Sequence, residues 1–324
     1  MVAAILPPRP NPDPRVLAVA AVGNHRYRQK PGCGRAADLA SAAMDATRRS
    51  IDAWVIGLVA GSALLQVGAL VARSDAIAEG TTGRHVFSTV EMAFVLALLV
   101  QGWRIVRWTA ATQQPDLVVR VARLCLVSLA LCAAGDLVNR NYLEQHYQWD
   151  HVLRASFLIT AIWCFFPGYA VIIGVNRLIT RSRVTPGLAL GTAAIGAVVG
   201  LGAYASNHDP AMSHYASGMI LAYTVMLSVL GASTIWLVRT FGWSASWVPV
   251  VGCLLALVAD AIIGNFWIYR DHFPTVEHVN WIPYFASLAM IQRLTFLVAD
   301  HPGPGRAAAA GAPAEPAAGL PRQG

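Results

Sequence analysis

Two carboxylates, Asp136 and Asp260, stand inside long apolar stretches of this sequence. An Asp at the centre of a membrane-spanning helix costs roughly 2.5 to 3.5 kcal/mol on insertion scales, so one that is retained faces a cavity, a partner or a substrate path. Two such acids in one cavity suit general acid–base chemistry. One carboxyl kept protonated donates, while the other, ionised, orients water and steadies a developing cation. Glu91, in a third apolar stretch, is the next candidate. Each acid also has a plainer alternative. Asp136 could reach interfacial water at a helix end, Glu91 could complement a helix N-terminus, and Asp260 could bond to Asn265, a Ser or the backbone.

The elements that must position these acids are spanning helices. A span needs about 20 predominantly apolar residues, and eight stretches qualify: 51–72, 86–106, 117–138, 154–175, 186–205, 217–238, 247–268 and 279–298. The expected fold class is therefore all-α, a polytopic bundle of eight transmembrane helices. Its acids lie at comparable depth in spans two, three and seven, with Asn139 and Asn265 extending the polar stripes. The outer loops would form the rim of a shared cavity, with Asn139, Arg140, His146, Asp150 and His151, then Asn207, His208, Asp209 and His214, then Arg270, Asp271, His272, Glu277, His278 and Asn280. Those loop histidines are expected to be exposed side chains rather than metal ligands.

Composition agrees with a membrane chain: 324 residues, 56% hydrophobic and only 13% charged, with a mean hydropathy of +0.51. This balance lies outside that of a soluble globular domain. The formal charge of +7 is better explained by topology than by nucleic acid. Basic residues precede span one (Arg9 through Arg49) and flank alternate connections (Arg104, Arg107, Arg120, Arg123, Arg177, Arg181 and Arg183). The positive-inside rule then puts both termini in the cytoplasm, as expected for a multi-pass protein of a bacterial inner membrane.

Residues 1–50 form a basic tail rich in Pro, Arg and Gly, expected to be disordered, and Met44 reads as a natural start. Residues 299–324 read as a second disordered tail. Gly57-x-x-x-Gly61 and Gly196-x-x-x-Gly200 predict close helix packing within the bundle. Pro167 and Pro249 fall in spans, and Trp103, Trp108, Trp149, Trp243, Trp247, Trp267 and Trp281 lie near span ends as an interfacial belt. No histidine lies deep in a predicted span, no zinc or disulfide spacing emerges from the five cysteines, and no phosphate loop or nucleophile elbow is present. The sequence thus gives no reason to expect a cofactor or a metal.

Ser128 through Leu137, Ser-Leu-Ala-Leu-Cys-Ala-Ala-Gly-Asp-Leu, resembles the Gly-Asp signature of the YhhN-like membrane proteins, the family that includes lysoplasmalogenases. Val250 through Asp260 is similar to that family's later block ending in Ser-Asp, with Ala259 in place of the Ser, and Tyr223 through Arg239 fits the helix before it. Where the family has His-x-x-Tyr, this chain has Phe166-Pro-Gly-Tyr169, and a Lys-Pro pair near span two is replaced by a region holding Ser88, Thr89 and Glu91. The resemblance covers roughly residues 51–298 and implies a hydrolase of the vinyl-ether bond of lysophospholipid-type substrates. It implies Asp136 and Asp260 as catalytic, with no metal or cofactor, and Tyr169 and Tyr223 in support; Glu91, Asn139 and Asn265, from the polar positions of the spans, are the other supporting candidates. Two other readings stay open: a small transporter or channel whose acids carry protons or bind a cation, and a membrane sensor without catalysis. Oligomeric state and headgroup preference are not legible.

Overall fold

The computed structural model describes residues 33–72, 81–140, 142, 158–208, 210, 212–268 and 276–301. Tail residues 1–32 and 302–324, the loop residues His146, Asp150, His151, Asp209, Arg270, Asp271 and His272, and Trp149 lie outside them. Among the described residues there is no strand. Among these residues nine helices run in order: α1 (Cys33–Ala72), α2 (Thr82–Ala111), α3 (Asp116–Asn139), α4 (Leu158–Thr180), α5 (Pro186–Asn207), α6 (His214–Phe241), α7 (Trp243–Ile262), α8 (Val276–Ile291) and α9 (Leu294–Asp300). A short π-helical segment, Ile263–Ile268, continues α7. Eight spans are long and apolar enough to cross a membrane, α8 and α9 together making the last. The chain is a multi-pass helical membrane bundle.

Local chemistry sets the helix ends. Thr81, Thr185 and Ser213 each accept a hydrogen bond from the backbone N–H three residues on, at 3.1, 3.3 and 3.2 Å, satisfying donors that a helix start leaves open. Pro186 opens α5, where its missing N–H costs nothing. Gly242, at φ +81°, is the single residue between α6 and α7. That left-handed turn favours glycine.

Several expectations are corrected. Helix α1 reaches back to Cys33, so residues 33–50 are helical rather than part of a disordered tail; six alanines between Ala36 and Ala46 supply strong helix propensity that an emphasis on Pro and Arg overlooked. Ala299 and Asp300 likewise belong to α9, not to the C-terminal tail. Span four ends at Thr180, five residues beyond its predicted end. The last span is not continuous: Gln292 and Arg293 interrupt it, and the Gln292 side-chain amide donates to the Cys125 carbonyl of α3 at 3.2 Å. Pro167 and Pro249 sit inside helices that continue through them, as bundle neighbours allow.

The helices pack in sequence order through much of the bundle, α2 on α3, α3 on α4, α5 on α6 and α6 on α7, with α4 on α6 and α7 on α8 closing it. Gly200 permits the closest approach: a Cβ there would lie 2.6 Å from the Val225 Cα of α6. Gly196 presses on the same helix, so this pair serves packing within the chain. The other pair differs, since Gly61 meets the Phe94 ring while Gly57 touches nothing. Outward faces carry apolar side chains such as Ile56, Leu64, Leu190 and Val198, where lipid takes the place of water. Trp103, Trp243 and Trp247 are exposed as a belt requires, but Trp108 and Trp281 are buried in the bundle.

Candidate functional site

Asp136 and Asp260 are brought together. Both line a cavity of about 30 Å³ at the end of the bundle where α3 and α7 finish and α8 begins. This is room for one water. Asp136 lies in the last turn of α3, only 3% exposed, and its Oδ2 accepts a 2.8 Å hydrogen bond from the Tyr284 hydroxyl of α8. The Phe165 ring of α4 packs edge-on to Tyr284 and lies over Gly135, where a Cβ would sit 2.7 Å from it. The glycine before the acid thus lets an aromatic wall come close to the carboxylate.

Asp260 has a different surround. It stands at the end of α7, half-buried, with Oδ2 out of solvent reach and without a hydrogen bond. Tyr223 and Tyr169 lie near enough to interact with it, yet neither hydroxyl closes a hydrogen bond of good geometry. Tyr169 is fully buried and Tyr223 nearly so. Three oxygens from α4, α6 and α7 therefore lie close together with none closing a hydrogen bond of good geometry, although Tyr223 and Asp260 are near enough to pair after a small adjustment and Ser287 lies beside Tyr169; a buried polar atom left unpaired costs about 1 to 3 kcal/mol. Asp260 also does not bond to Asn265, whose amide donates instead to the Ala261 carbonyl at 2.7 Å.

Asn139 and Asn280 line the small cavity with their Oδ1 atoms unpartnered. Glu91 does not line it. Fully buried, Glu91 accepts from the Gln66 amide at 2.6 Å and pairs with Arg140 at 2.6 Å. Arg140 in turn meets Glu277 at 2.7 Å, lies 4.4 Å over the Trp281 ring, and follows Asp136 by one helical turn. Glu277 is also paired with Arg84. The chain extends the other way through Gln66, whose Oε1 faces His278 Nδ1 at 2.7 Å. Next to it, Trp281 donates to Ser62 at 3.0 Å. Arg140 and His278, expected on the loop rim, are thus buried, and Glu277 partly buried, as links of a network joining α1, α2, α3 and α8.

Sequence reasoning missed Gln66, Ser62 and Tyr284, and took the buried Trp281 for an interfacial anchor. The signal was present in α1, where Ser62 and Gln66 are lone polar residues four apart in an apolar span. In α8 the residues Glu277, Asn280, Trp281 and Tyr284 share one face, which a span begun at 279 cuts off. Among the described residues no group of three His, Cys, Asp or Glu side chains could hold a metal ion.

Two larger hollows lie among the described residues. One, about 120 Å³, lies between α4, α5, α6 and α7 and has Asp260, Tyr223 and Asn265 in its lining. The other, about 490 Å³, is an apolar groove between α1, α7 and α8; its only acid, Asp52, is paired with Arg293. Its size is the larger, but the unpartnered polar atoms lie with Asp260.

No family model, no curated protein and no solved structure matches this chain.

Proposed function

We propose that this membrane protein is a lysoplasmalogenase-like hydrolase that cleaves the vinyl-ether bond of single-chain lipids, with Asp136 and Asp260 as its acid–base pair. The observation that carries this reading is the water-sized cavity lined by both carboxyls, together with the Gly-Asp and later Asp blocks that resemble the YhhN-like family. The bundle is oriented with both termini in the cytoplasm and the cavity toward the outer leaflet, following the basic residues of the alternate connections.

The reaction needs one proton delivered to carbon and one water. A protonated carboxyl gives its proton to the vinyl carbon remote from the ether oxygen, and the other vinyl carbon becomes an oxocarbenium ion. The ionised carboxylate stabilises that cation and takes a proton from the water that adds to it. The hemiacetal then breaks its carbon–oxygen bond to the glycerol unit, releasing a fatty aldehyde and a free glycerol hydroxyl. Overall, one vinyl ether and one water give one aldehyde and one alcohol. Tyr284 holds Asp136 in place through its 2.8 Å hydrogen bond, and Tyr223 and Tyr169 offer hydroxyls to the reacting oxygen beside Asp260. Asn139 and Asn280 present acceptor oxygens to the water.

The buried charges nearby favour this reading over ion conduction, since Glu91, Glu277, Arg84 and Arg140 neutralise one another within the network. The test is incubation of the detergent-purified chain with lysoplasmenylethanolamine and with its saturated alkyl-ether analogue. Aldehyde from the first alone is the expected result. No aldehyde from folded protein, with proton or cation flux in proteoliposomes, would replace the hydrolase with a transporter.

A further inference from the structure

Asp260 borders two hollows: the water-sized cavity shared with Asp136 and the cleft of about 120 Å³ on its other side. The cleft is built as a lateral slot. Its floor is one face of α6, where Ile220, Tyr223, Thr224, Leu227 and Ser228 recur at helical spacing. One wall comes from α5 at Ala203 and the other from α7 at Leu257 and Ala261. Both helices pack on α6; Gly196 and Gly200 bring α5 down onto it. The lip residues Ala203 and Ala261 are exposed and lie within spanning segments, so the slot opens sideways into lipid. Small side chains at both lips leave the entrance clear.

Along α6 the floor runs from Ile220 to Ser228, eight steps of about 1.5 Å or about 12 Å. Its exposed lining is mainly apolar; Tyr204, Asn207 and Asn265 also border it but bond to Ser217, the Ala203 carbonyl and the Ala261 carbonyl, leaving the Tyr223 hydroxyl and Asp260 Oδ2 as the polar atoms without a hydrogen bond of good geometry. Tyr223 is itself more than nine-tenths buried. An occupant that satisfies the slot must carry one polar atom at the Asp260 end and hydrocarbon along the rest. Water meets only the first requirement, and a plain acyl tail only the second.

We infer that this cleft is the substrate's hydrocarbon-chain site: a single-chain ether lipid enters sideways between α5 and α7, lays its first methylenes along α6, and brings its ether oxygen beside Asp260 to accept from the Tyr223 hydroxyl. The inference rests on the hydrolase reading for the identity of the lipid. It makes α5, α6 and α7 the elements that select chain length and shape, while the water needed for hydrolysis waits on the Asp136 side of Asp260.

The experiment is photolabelling of the full detergent-purified chain with an alkyl-ether lysophosphatidylcholine that carries a diazirine near the ether end of its chain. This probe cannot be hydrolysed as a vinyl ether, so binding is read apart from turnover. The expected result is labelling concentrated on the α6 floor around Ile220, Thr224 and Leu227. It should fall about tenfold, equivalent to about 1.4 kcal/mol, in Ala203→Trp and Ala261→Trp, whose bulk closes the lips from outside the bundle. Asp136→Asn, which does not border the cleft, should keep most of the label while abolishing aldehyde release. Floor labelling by a wild-type protein that releases no aldehyde would remove the proposed reaction and leave the chain site standing. Labelling centred on the α1–α7–α8 groove would overturn the inference. So would equal labelling by a diacyl lipid with the same diazirine, or labelling that both lip variants leave unchanged.

Discussion

Asp136 and Asp260 lie in one cavity but keep different company. Asp136 has a tyrosine donor at 2.8 Å and a guanidinium one turn away, whereas Asp260 has only unsatisfied tyrosines beside it. Tyr284→Phe tests the first arrangement: removing that hydrogen bond should lower turnover about tenfold, the worth of one buried hydrogen bond at about 1.4 kcal/mol. Steady-state kinetics should find the loss in kcat with KM little changed, because Tyr284 does not border the chain cleft; an unaltered kcat would detach the tyrosine from the reaction. The cost of burying an acid made the two Asp residues legible in the sequence. Their surroundings were less so. Placing the last span at 279 put Glu277 and His278 in solvent, but α8 begins at Val276, and that extra turn draws both into the bundle. Arg140 was misplaced for a related reason: a charge two residues past a predicted span reads as interfacial, yet here two glutamates and an indole ring enclose it.

Helix contacts through glycine position the chain cleft. Gly200→Ala should destabilise the protein by about 1 to 3 kcal/mol, the usual cost of overpacking, since its Cβ would meet backbone atoms of α6 that cannot move alone. Thermal unfolding in detergent measures this, with Gly57→Ala as the control. Nothing lies within 4 Å of a Cβ at Gly57, so the control should be neutral or gain up to about 1 kcal/mol from helix propensity. An unchanged midpoint for Gly200→Ala would mean that α5 and α6 are not in close contact there. Hydropathy located all eight spans, because a bilayer demands long apolar runs whatever their packing. It was silent on the break at Gln292 and Arg293, which depends on side-chain bonds to α3 and α1. It was silent, too, on which Trp residues turn inward.

On the scale of the whole bundle, polar work is divided between two groups of helices. A buried network ties α1, α2, α3 and α8 beside the acids, and an apolar slot lies among α4, α5, α6 and α7, with the Asp260 carboxyl between them. Removing one member of a buried charge network leaves its partners uncompensated, so Arg140→Ala should cost about 3 to 5 kcal/mol. A shift in the unfolding midpoint no larger than that of an exposed variant such as Arg107→Ala would contradict that role. The central claim is that Asp136 and Asp260 act together on a vinyl ether, and initial rates of aldehyde release test it most directly. Wild type, Asp136→Asn and Asp260→Asn would be compared on lysoplasmenylethanolamine, with unfolding midpoints recorded for each. The prediction is a loss of about a hundredfold or more in both variants while the proteins remain folded, the scale expected for general acid–base groups. A folded variant of either residue that keeps turnover within about threefold of wild type, about 0.7 kcal/mol in barrier, would contradict it.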